Sequence, residues 1–192
     1  MITDPWPLPA GPLLLRYATL DDAERLLSFR NDAEVNRWTL RTHVEPQVFL
    51  TELVAVPGSD TDFGCVAELD GEVVAIGFLD VKDGSGQPGR PARTDGVLGY
   101  VVHPGFAGRG VATHLTRGLL AAAFGPLGLR RITAYCYADN IASVRVLEKV
   151  GMRREQHCVE DSWHAELGWR DSYGYGLLAR EWAEQQDAAQ RG

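Results

Sequence analysis

Three glycines, Gly105, Gly108 and Gly110, fall between two stretches of opposite character. On one side Tyr100, Val101 and Val102 are aromatic or β-branched residues suited to a pleated surface. His103-Pro104-Gly105 ends that strand, because proline has no N–H to donate and glycine admits positive φ. On the other side Val111, Ala112 and Leu115, then Leu119, Leu120 and Ala123, recur at helical spacing. A strand, a glycine-rich turn and a helix leave the first N–H groups of that helix unpaired and facing outward, with the helix dipole behind them. Such a constellation attracts phosphate, although a plain tight turn uses the same glycines. No Gly-Lys-Ser/Thr follows and no Gly-x-Gly-x-x-Gly occurs in this stretch, so neither a P-loop nor a dinucleotide fingerprint is indicated.

A second stretch, Asn140-Ile-Ala-Ser-Val-Arg-Val-Leu-Glu-Lys-Val-Gly-Met152, carries its own signals. Asn140 suits a helix cap and Gly151 the left-handed residue after the helix. The two stretches, about 30 residues apart, resemble motifs A and B of the GNAT superfamily of acyl-CoA-dependent N-acyltransferases. In motif A the pattern Gln/Arg-x-x-Gly-x-Gly/Ala cradles the pyrophosphate of coenzyme A. Gly110 and Ala112 match its last parts, and Ala107 replaces its Gln or Arg. Trp169-Arg170-Asp171 and the run from Tyr175 to Trp182 resemble the RimJ/RimL-type branch, so that the likeness extends from Leu14 to about Trp182.

The resemblance implies acetyl-CoA as co-substrate, with no metal, and a primary amine as acceptor, either a protein N-terminus or a small molecule. Tyr100, Val101 and Val102 would offer their strand edge to the pantetheine amides. The N–H groups of Gly108, Arg109, Gly110, Val111 and Ala112 would hold the pyrophosphate, with side-chain contacts from Arg109 and Thr113. A solvated loop residue is the alternative for Arg109. Asn140 is read as a polar contact to CoA as well as a cap. Ser143 is placed at the thioester sulfur, where it would donate to the departing thiolate or simply pack closely.

Acyl transfer to an amine also needs a proton acceptor, a donor for the carbonyl oxygen and a proton for the thiolate. Here the chain departs from the family. Val97 stands where many RimJ/RimL-type sequences carry Glu, and Leu147 where many GNATs carry a tyrosine. Asp95 and Glu160 are therefore carried as base candidates, with Glu68 and Asp161 beside them, though each also fits a solvated carboxylate. Trp38, Tyr135, Tyr137 and Trp163 are aromatic candidates for the acceptor pocket, and strand aromatics equally serve a core.

Positioning these residues requires a mixed α/β sheet. The four prolines within residues 1–12 suit an extended lead-in. Leu13 to Tyr17 reads as a strand and Leu20 to Phe29 as a helix; Arg30 to Asn36 continues into a short helix resembling the acceptor-facing segment of the family. Glu45 to Val54 is a further helix. Phe63–Leu69 and Glu72–Val81, joined by Asp70-Gly71, form a hairpin. Lys82 to Asp95 is an exposed loop. Arg131 to Tyr137 is a strand, and Arg154–Glu160 with Asp171–Leu178 a final antiparallel pair. A polar tail occupies 183–192. The expected fold is one GNAT-like domain over 1–192, its largely antiparallel sheet flanked by helices and splayed at the motif A strand.

Composition narrows the remaining classes. Nineteen basic against 26 acidic residues give a net charge of −7, which disfavours nonspecific nucleic-acid binding and tolerates a cationic substrate. Three cysteines without C-x-x-C spacing disfavour a disulfide framework or zinc site. No basic, apolar leader opens the chain and no apolar run approaches ~20 residues, so the expectation is a cytoplasmic protein off the membrane. It would be a monomer or a homodimer. The alternatives are an acyl-CoA sensor without turnover, and transfer of another acyl group such as succinyl.

Overall fold

The computed structural model describes residues 4–191; Met1 to Thr3 of the expected lead-in and Gly192 of the expected tail lie outside the described residues. Eight strands form one sheet: β1 (Leu8–Ala10), β2 (Leu13–Arg16), β3 (Cys65–Leu69), β4 (Glu72–Lys82), β5 (Asp95–Val102), β6 (Arg131–Tyr137), β7 (Arg153–His164) and β8 (Gly168–Leu178), in the order β1-β2-β3-β4-β5-β6-β8-β7. Every neighbouring pair is antiparallel except β5 with β6. The helices are α1 (Ala23–Arg30), α2 (Ala33–Asn36), α3 (Pro46–Ala55), α4 (Val111–Phe124), α5 (Ile141–Lys149) and α6 (Ala179–Arg191).

Two apolar layers sandwich the middle of the sheet. Leu115, Leu119 and Leu120 of α4 bury against Leu15, Ala75, Leu79, Leu98 and Ile132 on one face. Leu26 and Phe29 of α1 and Phe49 of α3 cover Val66, Ile76 and Val101 on the other. Each such fully buried side chain contributes about 1.5–3 kcal/mol relative to exposure. The burial pattern along β4 records where this cover stops. Val73 to Gly77 are buried on both faces, after which Phe78, Asp80 and Lys82 emerge while Leu79 and Val81 stay inside. The α1–α3 side of the sheet is thus open beyond Phe78.

Three elements differ from expectation. The proline-rich lead-in contains an edge strand, with Pro9 opposite Leu14; an edge tolerates proline because its missing N–H faces no partner. The final strand pair is longer than expected on both sides, joined to a cross-strand contact of Trp163 with Trp169 (5.5 Å between centroids). The polar tail is the helix α6, consistent with its Ala, Glu, Gln and Arg content. Its Trp182 meets Phe124 of α4, 6.1 Å between centroids.

Candidate acyl-CoA and acceptor site

The parallel β5–β6 ladder is short. Asp95, Gly96 and Val97 pair with Arg131, Ile132 and Thr133, and then the strands part. β5 stays on β4 as far as Val102, and β6 stays on β8 as far as Tyr137, so two unpaired edges face each other across a wedge. Backbone N–H and C=O groups on such edges need partners, which an extended ligand with amides supplies.

At the open end of β5 the chain turns through His103, whose Nδ1 accepts the N–H of Gly105 at 3.0 Å. Burial, with help from Arg25, keeps the His103 imidazole below its ordinary pKa, in the neutral form this acceptor role requires. Gly108 and Gly110 then take positive φ values of 74° and 82°, a region open to glycine at little cost. Gly110 caps α4 without a side-chain bond. The N–H groups of Val111, Ala112 and Thr113 therefore have no acceptor within the helix and point past the loop.

A cavity of about 1210 Å³ runs from this loop through the wedge to the space beneath α1–α3. Of the residues expected to touch CoA, Tyr100, Val101, Val102, Gly108, Gly110, Val111, Ala112, Thr113, Asn140 and Ser143 all line it. Arg109 does not; its guanidinium lies over the Phe106 ring, 5.3 Å from the centroid. Asn140 accepts the Ser143 N–H at 3.2 Å and so fixes the first turn of α5 beside the wedge. Burial pushes the Tyr100 phenol up to about 12, opposed by the adjacent Ser143, and its hydroxyl is buried without a hydrogen-bond partner. Cys136 also lines the cavity, its thiol pushed up to about 11 by burial and by Glu148.

Trp38 and Tyr135 line the cavity too, as do four carboxylates, Glu34, Glu52, Asp62 and Asp80, and the guanidinium groups of Arg30 and Arg41. The base candidates taken from the sequence are elsewhere. Asp95 sits at the closed end of β5 and holds Arg130 through both carboxylate oxygens, at 3.0 and 2.8 Å. Glu160 lies on the exposed β7–β8 ribbon at a φ of 48°, donating its N–H to Asp171. Glu68 is paired with Arg16, and Asp161 accepts the Ser172 hydroxyl. Neither Tyr137 nor Trp163 reaches the cavity; the Tyr137 hydroxyl donates to the Trp163 carbonyl at 2.8 Å. Leu147 is buried in the cavity wall and offers no proton. Asp62 and Asp80 were not among the sequence candidates; Asp80 carries a local signal, a carboxylate between the apolar Leu79 and Val81, whereas Asp62, in Ser59-Asp60-Thr61-Asp62, carries none.

A family model described as an acetyltransferase (GNAT) domain matches residues 12–153. The chain belongs to the GNAT acetyltransferase family. Two curated relatives are uncharacterized N-acetyltransferases: YnaD of Bacillus subtilis (strain 168), 35% identical over 44% of this chain and 49% of its own, and p20 of Bacillus licheniformis, 26% identical over 89% and 95%. The match thus spans about half the length of the first and nearly all of the second. Among solved GNAT-fold structures, Mycobacterium smegmatis RimJ in complex with CoA-disulfide superposes with a TM-score of 0.76 at 24% identity, covering 97% of both chains. The spermidine N-acetyltransferase of Vibrio cholerae, in complex with CoA and spermine, gives 0.78 at 16% identity, covering 90% of this chain and 99% of its own. At these identities the likeness is one of fold. Among the described residues no helix is long and apolar enough to cross a membrane.

Proposed function

We propose that this GNAT protein transfers the acetyl group of acetyl-CoA directly to a primary amine while both are bound. The observation that carries the reading is the continuity of the cavity. One space joins the amide-lined loop at α4, the unpaired β5 and β6 edges, and a carboxylate-lined chamber. The loop amides of Gly108 to Ala112 suit the pyrophosphate, Thr113 and Asn140 line the same cavity and supply polar groups to CoA, and the edge of Tyr100 to Val102 suits the pantetheine amides. Ser143, on the first turn of α5, is the donor for the departing thiolate. Trp38 and Tyr135 flank the amine.

Direct transfer is preferred over an acyl-enzyme because the cavity's cysteines are poor nucleophiles. Burial raises both Cys65 and Cys136, so both remain thiols near neutral pH. The chamber's four carboxylates outnumber Arg30 and Arg41 and favour an amine that arrives as its ammonium form, whether a protein N-terminus or a polyamine-like small molecule.

Isothermal titration with acetyl-CoA, succinyl-CoA and CoA, followed by thiol release across a panel of amines, tests this. Saturable acetyl-CoA binding with amine-dependent thiol release is expected. Binding with no release on any amine would make the protein an acyl-CoA sensor, and preference for succinyl-CoA would change the acyl group. No binding to any of the three would end the reading.

A further inference from the structure

An amine that enters as an ammonium ion must lose a proton before it can attack, and four carboxylates line the chamber that would receive it. Glu52 is committed to Arg41 at 2.6 Å. Glu34 is exposed on the short α2, at the rim. Asp62 spends one oxygen on the Gly64 N–H at 2.9 Å, closing a local turn. The Asp80 carboxylate accepts no hydrogen bond from any described residue. It stands on β4 directly opposite Val97, the last residue of β5 that still pairs with β6, so its carboxylate lies level with the apex of the wedge. Asp62 pairs with it from the other side, with the Phe63 N–H to Leu79 carbonyl bond (2.9 Å) holding the two segments together. Directly paired residues share a face, so Asp62, Asp80 and Val97 form a row across the sheet, of which Asp62 and Asp80 line the chamber.

We propose that Asp80 is the general base of the transfer, taking the proton from the acceptor's ammonium group at the apex of the wedge. This rests on the acyltransferase reading above. The groups facing Asp80 are Asp62 from the neighbouring segment and Lys82 farther along β4; from β5 the neighbour is the uncharged Val97. Desolvation first, then the charge of Asp62, hold the Asp80 carboxyl above its ordinary value against the opposing Lys82. A carboxylate of raised pKa is a stronger proton acceptor than a fully solvated one. With the amine neutral, its lone pair forms the N–C bond as the C–S bond breaks. Of the two protons nitrogen loses, one goes through Asp80 to water and one ends on the CoA sulfur.

Methylamine and spermidine, which are cationic at neutral pH, and methoxyamine, whose amino group is neutral there, serve as probes in a thiol-release assay on the full chain. For Asp80→Asn the expected result is a loss of about 10²–10⁴-fold in kcat/KM with methylamine and spermidine, and little change with methoxyamine. The acetyl-CoA Kd should stay unchanged, the acidic limb of the wild-type pH profile should disappear, and Asp80→Glu should recover part of the rate. Equal losses on cationic and neutral probes, or no loss on any, would overturn the assignment. Failure of the wild-type protein to bind acetyl-CoA, or to release thiol with all three probes, would instead overturn the acyltransferase reading and take Asp80 with it.

Discussion

The Tyr100 hydroxyl lies beside Ser143 at the wedge, buried and without a hydrogen-bond partner. An unsatisfied buried hydroxyl costs about 1–3 kcal/mol, and a fold retains one where a ligand completes it. Tyr100→Phe is therefore expected to leave the ligand-free protein as stable as wild type or more so, by about 1 kcal/mol in urea unfolding. Turnover should fall in the same variant. A loss of stability together with unchanged turnover would make Tyr100 a packing residue.

The loop at α4 yields a sharper contrast. Gly110 has a φ of 82°, where an L side chain is strained by roughly 1–2 kcal/mol, and its N–H group belongs to the candidate anion site. Gly110→Glu adds a negative charge there and should weaken acetyl-CoA binding by about 100-fold or more, equivalent to roughly 2.7 kcal/mol. Arg109→Ala removes a side chain that stacks on Phe106 outside the cavity and should cost less than about 10-fold. Calorimetric titration of both variants, with circular dichroism as the folding check, decides the matter. Equal losses would place Arg109 on the ligand after all.

What could be read from the chain follows the range of the interactions involved. The strand, glycine turn and helix around Gly110, the Asp70-Gly71 hairpin and the Asn140 cap are set within a few residues, and each is found where the sequence places it. Features set by register were out of reach. Asp95 was a natural base candidate on β5, but the pairing of β5 with β6 puts it at the closed end, against Arg130. Asp80 gains its place only through the β4–β5 register and the bridge from Asp62, which no local pattern reveals. Pro9 as an edge residue, and the extension of β7 and β8 past Glu160 and Asp171, likewise depend on partners distant in sequence.

Acid sensitivity should centre on Asp22. Its carboxylate accepts from two Arg16 nitrogens, both at 2.8 Å, and from the Thr19 N–H at 2.8 Å, tying β2 to the start of α1. Arg16 above all holds the Asp22 carboxyl below its ordinary value. A depressed folded-state pKa stabilises the fold above the unfolded-state value of about 3.9, and that stabilisation is lost as pH falls through the lower folded value. Asp22→Asn should cost about 2 kcal/mol at pH 7, with the gap from wild type closing below about pH 4. Urea unfolding across pH 3–7 measures it. A gap that does not change with pH would assign the loss to packing rather than charge.

The acceptor wall offers the last test. Trp38 packs edge-on against His164 at 4.9 Å and lies 5.7 Å from Tyr137. His164 is buried and accepts the N–H groups of Glu166 and Leu167 at Nδ1, which fixes the ring against Trp38. The indole also carries the Arg37 guanidinium, 5.5 Å from its centroid, and lines the cavity as a braced apolar wall. Trp38→Ala should raise KM for the amine by about 5-fold or more, the equivalent of roughly 1 kcal/mol of lost apolar contact, while acetyl-CoA affinity stays constant. Trp38→Phe should recover part of it. If both variants instead weaken acetyl-CoA binding in a direct titration, Trp38 shapes the donor end of the cavity rather than the acceptor end.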